Sequence, residues 1–309
     1  MQSNQKLLIA LVIGAAATSA SALAQKAPAA CAFSTIGCSP APAEAPPPAP
    51  AATPAKLPPG VIVVDGYKYH LPEEALKNLD AVRALITVGD ALGMIRNNTY
   101  GGATHYTVGE ATDGWEYHAT GTVGGQKASL IVGLDYRLPA IRYEAKRGEA
   151  TELWAAAGKL SWEESKPGVY SGAAKASAEE RLMQIYLLPP AVVTMGRQAA
   201  DKIKLGTRDG LRELTIPIAA YASDLRAVLD AKGHPVHTEM AVGGKLYSAD
   251  YGDYGETDTM EFHVYFPHKI VQKVDGAVTA DLVVSEHWIN PYLVWPIPQP
   301  LRGAAPKAP

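Results

Sequence analysis

The stretch that most limits what this chain can fold into runs from Glu261 to Pro298, EFHVYFPHKIVQKVDGAVTADLVVSEHWINPYLVWPIP. In its first half Phe262, Val264, Phe266, Ile270 and Val274 share one parity, and Glu261, His263, Lys269 and Lys273 take the other. In its second half Val278, Ala280, Leu282, Val284 and Trp288 alternate against Thr279, Asp281, Ser285 and His287. A period of two marks strands with one buried face, and Asp275-Gly276 supplies a turn between them. A two-residue loop there pairs even positions with odd ones and turns the two apolar sets to opposite faces. A three-residue loop, Val274-Asp275-Gly276 with Gly276 left-handed, keeps both sets inward. The sequence therefore predicts a long hairpin closed by a three-residue loop.

The first 24 residues form a separate unit. Met1 to Lys6 is short with one positive residue, Leu7 to Ala24 is apolar, and Ala22-Leu23-Ala24 fits a small-x-small cleavage site. This reads as an export signal cleaved after Ala24, so the expected location is periplasmic. The competing membrane anchor is rich in Ala and Ser and lacks a charged flank after it. Lipidation at Cys31 needs an aliphatic residue three positions earlier, where Pro28 stands. Cys31 and Cys38 could close a small ring, but both lie in the tract from Gln25 to Gly60, whose Pro/Ala composition builds no core and reads as a linker. The folded domain is expected over 61–298, with a disordered tail over 299–309.

Within that domain, Val61 to Tyr69 reads as an opening strand broken at Asp65-Gly66. Pro72 and two glutamates then start a helix. Its apolar face, Leu76, Leu79, Val82, Ile86, Leu92 and Ile95, ends at Asn97-Asn98. Gly89 and Gly93, four apart, suggest that it lies close against a sheet. From Thr104 to Ser165 short alternating segments follow one another too closely for crossover helices, which predicts an antiparallel meander. Trp115, Tyr117, Ala119, Gly121 and Val123 share one of its faces. Ser177 caps a helix over Arg181 to Leu188, and Pro189-Pro190 breaks it and starts a second. Strands then return from Leu205 onward. The fold class is α+β: a curved antiparallel sheet, a half-barrel, wrapped around an N-terminal helix and a mid-chain helical insertion.

Motifs that would carry chemistry are weak. Of the eight histidines, His234/His237 and His263/His268 form pairs outside any helical H-E-x-x-H frame, so no metal site and no cofactor is expected. There is no G-x-S-x-G elbow, and Gly243-Gly244-Lys245 is followed by Leu246 where a phosphate loop needs Ser or Thr. A net charge of −3 with 19% charged residues gives no basic footprint for nucleic acid. The chain reads as a non-enzyme. Aromatic residues on the apolar parity could line a concave cleft, and the candidate ligand-binding residues are Trp115, Tyr117, Trp154, Phe262, Phe266 and Trp288. Phe266 in particular precedes Pro267, which suits a rim.

The order of elements resembles the periplasmic LolA-like and RseB-like superfamily, and the phrases YFPHKIVQKVDG, NPYLVWPIP and ALGMIRN resemble uncharacterised bacterial exported domains. The resemblance implies a half-barrel closed by helices that handles acyl chains or lipoproteins. It implies a binding or carrier module for a hydrophobic small molecule or lipoprotein acyl chain. The alternative is an envelope structural or sensing protein that grips another protein through its sheet.

Overall fold

The computed structural model describes residues 61–64, 67–70, 73–100, 103–108, 113–259, 262–291, 293 and 295–302. The stretches read as an export signal and a linker, with Cys31 and Cys38, lie outside the described residues.

Strands β1 (Val61–Val64) and β2 (Tyr67–His70) form a hairpin, and a 3-10 turn (Glu73–Asn78) leads into α1 (Leu79–Ala91). Helix α1 ends four residues earlier than its apolar spacing suggests. Gly93 takes a φ of 67°, and its backbone lies so close to β16 (Phe262–Val274) that a Cβ would sit 1.8 Å from the His263 carbonyl oxygen. Ile95, Asn97 and Asn98 belong instead to β3 (Ile95–Tyr100), which pairs with β4 (Ala103–Val108). Together β1, β2, β4 and β3 make a small sheet.

The main sheet holds the rest. Its strands are β5 (Gly114–Val123), β6 (Gln126–Asp135), β7 (Ala140–Arg147), β8 (Ala150–Ala157), β9 (Leu160–Lys166) and β10 (Val169–Ala173). After helices α2 (Ala178–Leu187) and α3 (Pro189–Gln198) come β11 (Lys204–Arg208), β12 (Leu211–Ile218), β13 (Ser223–Leu229), β14 (Pro235–Val242), β15 (Lys245–Thr259), β16 and β17 (Ala277–Ile289). Among the described residues 13 strands run in the order β10-β9-β8-β7-β6-β5-β17-β16-β15-β14-β13-β12-β11, every pair antiparallel and the two ends unjoined.

Curvature follows from one short helix. Helix α2 touches β7, β8 and β9 on one side and β14 and β15 on the other. In a flat sheet β8 and β14, seven strand spacings apart, would be about 34 Å distant. Ten helical residues span only about 15 Å. The sheet must therefore curl around α2, and the apolar parity of its strands forms the inner face. Trp115, Leu130, Val132, Tyr143, Leu214, Ile216, Leu225, Ile270 and Leu282 are all buried there.

The closing hairpin keeps the expected pairing of even with even positions, but the extra residue is elsewhere. Asp275 and Gly276 both have positive φ (49° and 80°), and Val274 pairs with Ala277, so the loop has two residues. The parity is restored by a bulge at Thr279: Lys273 pairs with Val278, and Gln272 pairs with Ala280. From there Ile270 and Leu282 share the inner face, while Val278 is exposed. A second bulge between Val284 and Glu286 flips the parity again, so His287 points inward and Trp288 outward.

Beyond Lys269 the strands β16 and β17 part. Among the described residues, 262–267 of β16 pair only with β15, and 284–289 of β17 only with β5. The turn after α1 enters this fork, where the Tyr265 amide donates to the Leu92 carbonyl at 3.1 Å. Pro267 shares the parity of Tyr265, so its missing N–H falls on the fork side, where no ladder runs. A proline thus sits inside a central strand without costing a sheet hydrogen bond.

After Asn290 the chain crosses the outer face. Leu293 lies over Gly133, the Trp295 ring lies 5.3 Å from the Arg142 guanidinium, and Pro296 approaches Gly168. Beneath it, the buried Glu164 carboxylate accepts from Arg142 (2.9 Å), the Trp162 indole (2.8 Å) and the Gly168 amide (2.8 Å). In the stretch read as a disordered tail, Gln299–Arg302 close a helical turn, with Arg302 Nε donating to the Ile297 carbonyl at 2.9 Å.

Candidate functional site

The inner face carries a band rich in aromatic side chains, interrupted at Val132. His287, Tyr117, Val132, Tyr143, Trp154 and Glu163 are successive ladder partners across β17, β5, β6, β7, β8 and β9. Tyr143 and Trp154 stack at 4.8 Å. Phe266 adds a second tier, 5.6 Å from Trp115, 5.5 Å from Tyr117 and 5.2 Å from His287. Of the sequence-derived candidates, Trp115, Tyr117 and Phe266 therefore come together, while Trp154 lies three strands away beside Tyr143; all four are nearly or fully buried, with Phe266 at 0% exposure. Trp288 is separated from them. The Val284/Glu286 bulge turns it outward, where it is 36% exposed and meets His118 edge-on at 4.7 Å. The Phe262 side chain lies outside the described residues.

Helix α2 covers the Tyr143–Trp154 end of the band on β7, β8 and β9, α3 packs beside it on β12 and β14, and proline chemistry dictates how the pair is held. Ser177 caps α2 by accepting from the Glu180 amide at 3.1 Å. At its other end, Pro189 has no N–H to give the Ile185 carbonyl, and the Ala191 amide turns to Leu188 instead of Leu187. Pro190 likewise has no N–H for the Tyr186 carbonyl, so three carbonyls lose their i+4 donors, and two of them, those of Ile185 and Leu187, are met from outside the helix. The sheet supplies the donors: Tyr136 Oη donates to the Ile185 oxygen at 3.0 Å, and Thr238 Oγ1 (2.6 Å) and Tyr251 Oη (2.5 Å) donate to the Leu187 oxygen. Burial pushes the Tyr117, Tyr136 and Tyr251 hydroxyls well above the usual phenol range, and that of Tyr143 up to about 12. All four stay protonated, as donors must.

A charged clasp holds the other end of α2. Arg181 is buried with its guanidinium 4.5 Å from the Trp154 ring centre; it donates to Ser161 Oγ (2.9 Å), to the Trp162 carbonyl (3.0 Å) and to Glu163. Burial alone would raise the Glu163 carboxyl, but its hydrogen bonds from Arg181 and the Lys175 amide outweigh that and hold it below the usual carboxylate range. Sequence reasoning missed Arg181, Tyr136, Tyr251 and Thr238. The Pro189-Pro190 step signals the last three, by implying carbonyls that need outside donors, and nothing local signals Arg181.

His287 fills the fork between β16 and β17. Burial, together with the nearby His268 imidazole 6.4 Å away, lowers its pKa to about 4, although a hydrogen bond to the Val264 backbone works the other way. Of the paired histidines named from sequence, His268 is the one beside His287, and His234 and His237 are held by other partners. His234 bridges Asp230 (3.4 Å) and the Ala91 carbonyl (3.2 Å), and His237 lies between Asp250 (2.6 Å) and Glu239 (3.3 Å) on the outer face. Among the described residues no three His, Cys, Asp or Glu side chains are placed to hold a metal ion. Chemically, the inner face offers aromatic surface, partly beneath α2, and fixed hydroxyl donors at the helix ends.

No family model and no curated protein sequence matches the chain. Among solved structures it is similar to the LolA superfamily protein NE2245 from Nitrosomonas europaea, at 10% identity and a TM-score of 0.34 over 70% of this chain and 96% of that one. Fold and function are therefore argued from this chain's own geometry.

Proposed function

We propose that the domain is a non-enzymatic, LolA-like half-barrel that binds a hydrophobic ligand, an acyl chain free or on a lipoprotein, in the periplasm. The observation that supports this reading is the aromatic inner face from Phe266 to Trp154, whose Tyr143–Trp154 end lies under α2, the first of two short helices separated at Pro189-Pro190. An acyl chain competes for the inner apolar surface that α2 covers on β7–β9 and α3 on β12 and β14, so uptake needs the helix pair to lift. The clasp at Arg181 and the hydroxyls at Leu187 are local, directional bonds. They return the cover to one position once the ligand leaves.

The test is a titration of the full chain with cis-parinaric acid, with palmitate as competitor. Saturable binding of about one probe per chain, displaced by palmitate, is expected. Absence of saturable binding overturns the reading. Cell fractionation with N-terminal sequencing tests the location: a mature chain starting at Gln25 in the periplasmic fraction is expected.

A further inference from the structure

Tyrosine hydroxyls buried inside the curl of the sheet are not equally occupied. Tyr136 and Tyr251 donate to the Ile185 and Leu187 carbonyls at 3.0 and 2.5 Å. Tyr117 and Tyr143 are enclosed as well, at 3% and 7% exposure, yet neither hydroxyl has a hydrogen-bond partner among the described residues. A buried hydroxyl without a partner costs stability, so packing alone would favour phenylalanine at both positions.

The ladder sets the two near one another. Tyr117, Val132 and Tyr143 are successive partners across β5, β6 and β7, so the tyrosines share a face two strand spacings, about 10 Å, apart at the backbone. That face is the concave one, and the Tyr143 phenol adds to the burial that raises the Tyr117 hydroxyl. Both donors are set in aromatic surface. Phe266 lies 5.5 Å from Tyr117, and Trp154 stacks on Tyr143 at 4.8 Å.

The surrounding charges decide what kind of oxygen fits. On the same face beyond Tyr143, Arg147 and Glu152 pair at 2.6 Å and act on its hydroxyl in opposite senses. Beside Trp154 the Arg181 guanidinium is paired with Glu163. His287, the ladder partner of Tyr117, is kept uncharged at neutral pH by burial. Each cation near the pair is thus matched by its own carboxylate. A ligand carboxylate between the phenols would be a buried charge without a counter-ion, whereas an uncharged carbonyl accepts the same hydrogen bonds without that cost.

We propose that Tyr117 and Tyr143 hold the head of the acyl ligand by donating to its oxygen, and that this head is an uncharged carbonyl, an ester or an amide, and not a free carboxylate. The hydrocarbon then has the Phe266 and Trp115 rings beside it. This inference rests on the hydrophobic-ligand reading and adds to it which acyl compounds are selected.

The test is competition against cis-parinaric acid on the full chain at pH 8, where palmitate is ionised. Monopalmitin supplies an ester, N-methylpalmitamide an amide and palmitate a carboxylate on the same palmitoyl chain. The ester and the amide should displace the probe at about tenfold lower concentration than palmitate, and Tyr117→Phe and Tyr143→Phe should each erase most of that advantage. The stronger of the two competitors names the linkage. Because neither hydroxyl bonds within the protein, both variants should keep the wild-type thermal midpoint, which also shows that they fold. Palmitate competing as well as the ester and the amide, an advantage that survives both variants, or a midpoint lowered by several degrees overturns the proposal while the hydrophobic-ligand reading stands. Failure of cis-parinaric acid to bind at all overturns both.

Discussion

Truncating Phe266 to Ala separates a packed band from an open cleft. The ring has no exposed surface and is enclosed by Trp115, Tyr117 and His287 at centroid distances of 5.2 to 5.6 Å. A phenylalanine side chain buries roughly 200 Å², which at about 25 cal/mol/Å² sets an upper value near 5 kcal/mol. Measured Phe→Ala losses in cores run about 3–5 kcal/mol, because neighbours relax only partly around the cavity. Phe266→Ala should therefore cost about 3–5 kcal/mol in urea denaturation followed by circular dichroism. Trp288→Ala, on the same strand parity in the sequence but turned outward by the second bulge, should cost no more than about 1 kcal/mol. A Phe266 loss below about 1.5 kcal/mol would mean that its ring borders open space, and the packed band would be refuted. Equal losses at the two positions would refute the bulge as the cause of their difference.

Stability should also fall with acid through His287. Its folded pKa of about 4 lies below the ordinary 6.5. Above pH 6.5 neither state is charged there; as pH drops from 6.5 toward 4 the unfolded chain takes up a proton that the folded chain refuses. The gap is worth on the order of 3 kcal/mol at full extent. Denaturation midpoints measured from pH 7 to pH 4 should show this slope, and His287→Leu should flatten it; an unchanged slope contradicts the assignment. Tyr136→Phe leaves the Ile185 carbonyl buried without a donor and should cost about 1–3 kcal/mol, with amide exchange around Pro189 accelerated; a neutral effect would mean that another donor serves that carbonyl.

Much of this architecture was legible because alternation reports burial directly. The inner faces of β5, β12 and β13, the Ser177 cap and the Pro189-Pro190 break all follow from local rules that tertiary structure left alone. The reading slipped wherever one residue changed the register. Even positions of β16 and β17 do pair with even ones, but the added residue is Thr279 rather than a loop residue. The bulge after Val284 reversed Trp288 and His287, and no local composition marks it. Helix α1 was read too long because Leu92 and Ile95 keep the helical spacing, while the close approach of Gly93 to His263 is a contact across about 170 residues of sequence. Nothing in its own helix marks Arg181 as buried. Its burial depends on Trp154 and Glu163 arriving from two separate strands.

The most direct test of the account is hydrogen exchange of the full chain with and without palmitate. If the helix pair lifts to admit an acyl chain, the amides of Ala178–Gln198 exchange faster when palmitate is bound, while β5–β8 and β16 keep their protection. Bound palmitate with unchanged or slowed exchange across Ala178–Gln198 would contradict the claim that α2 and α3 are the cover.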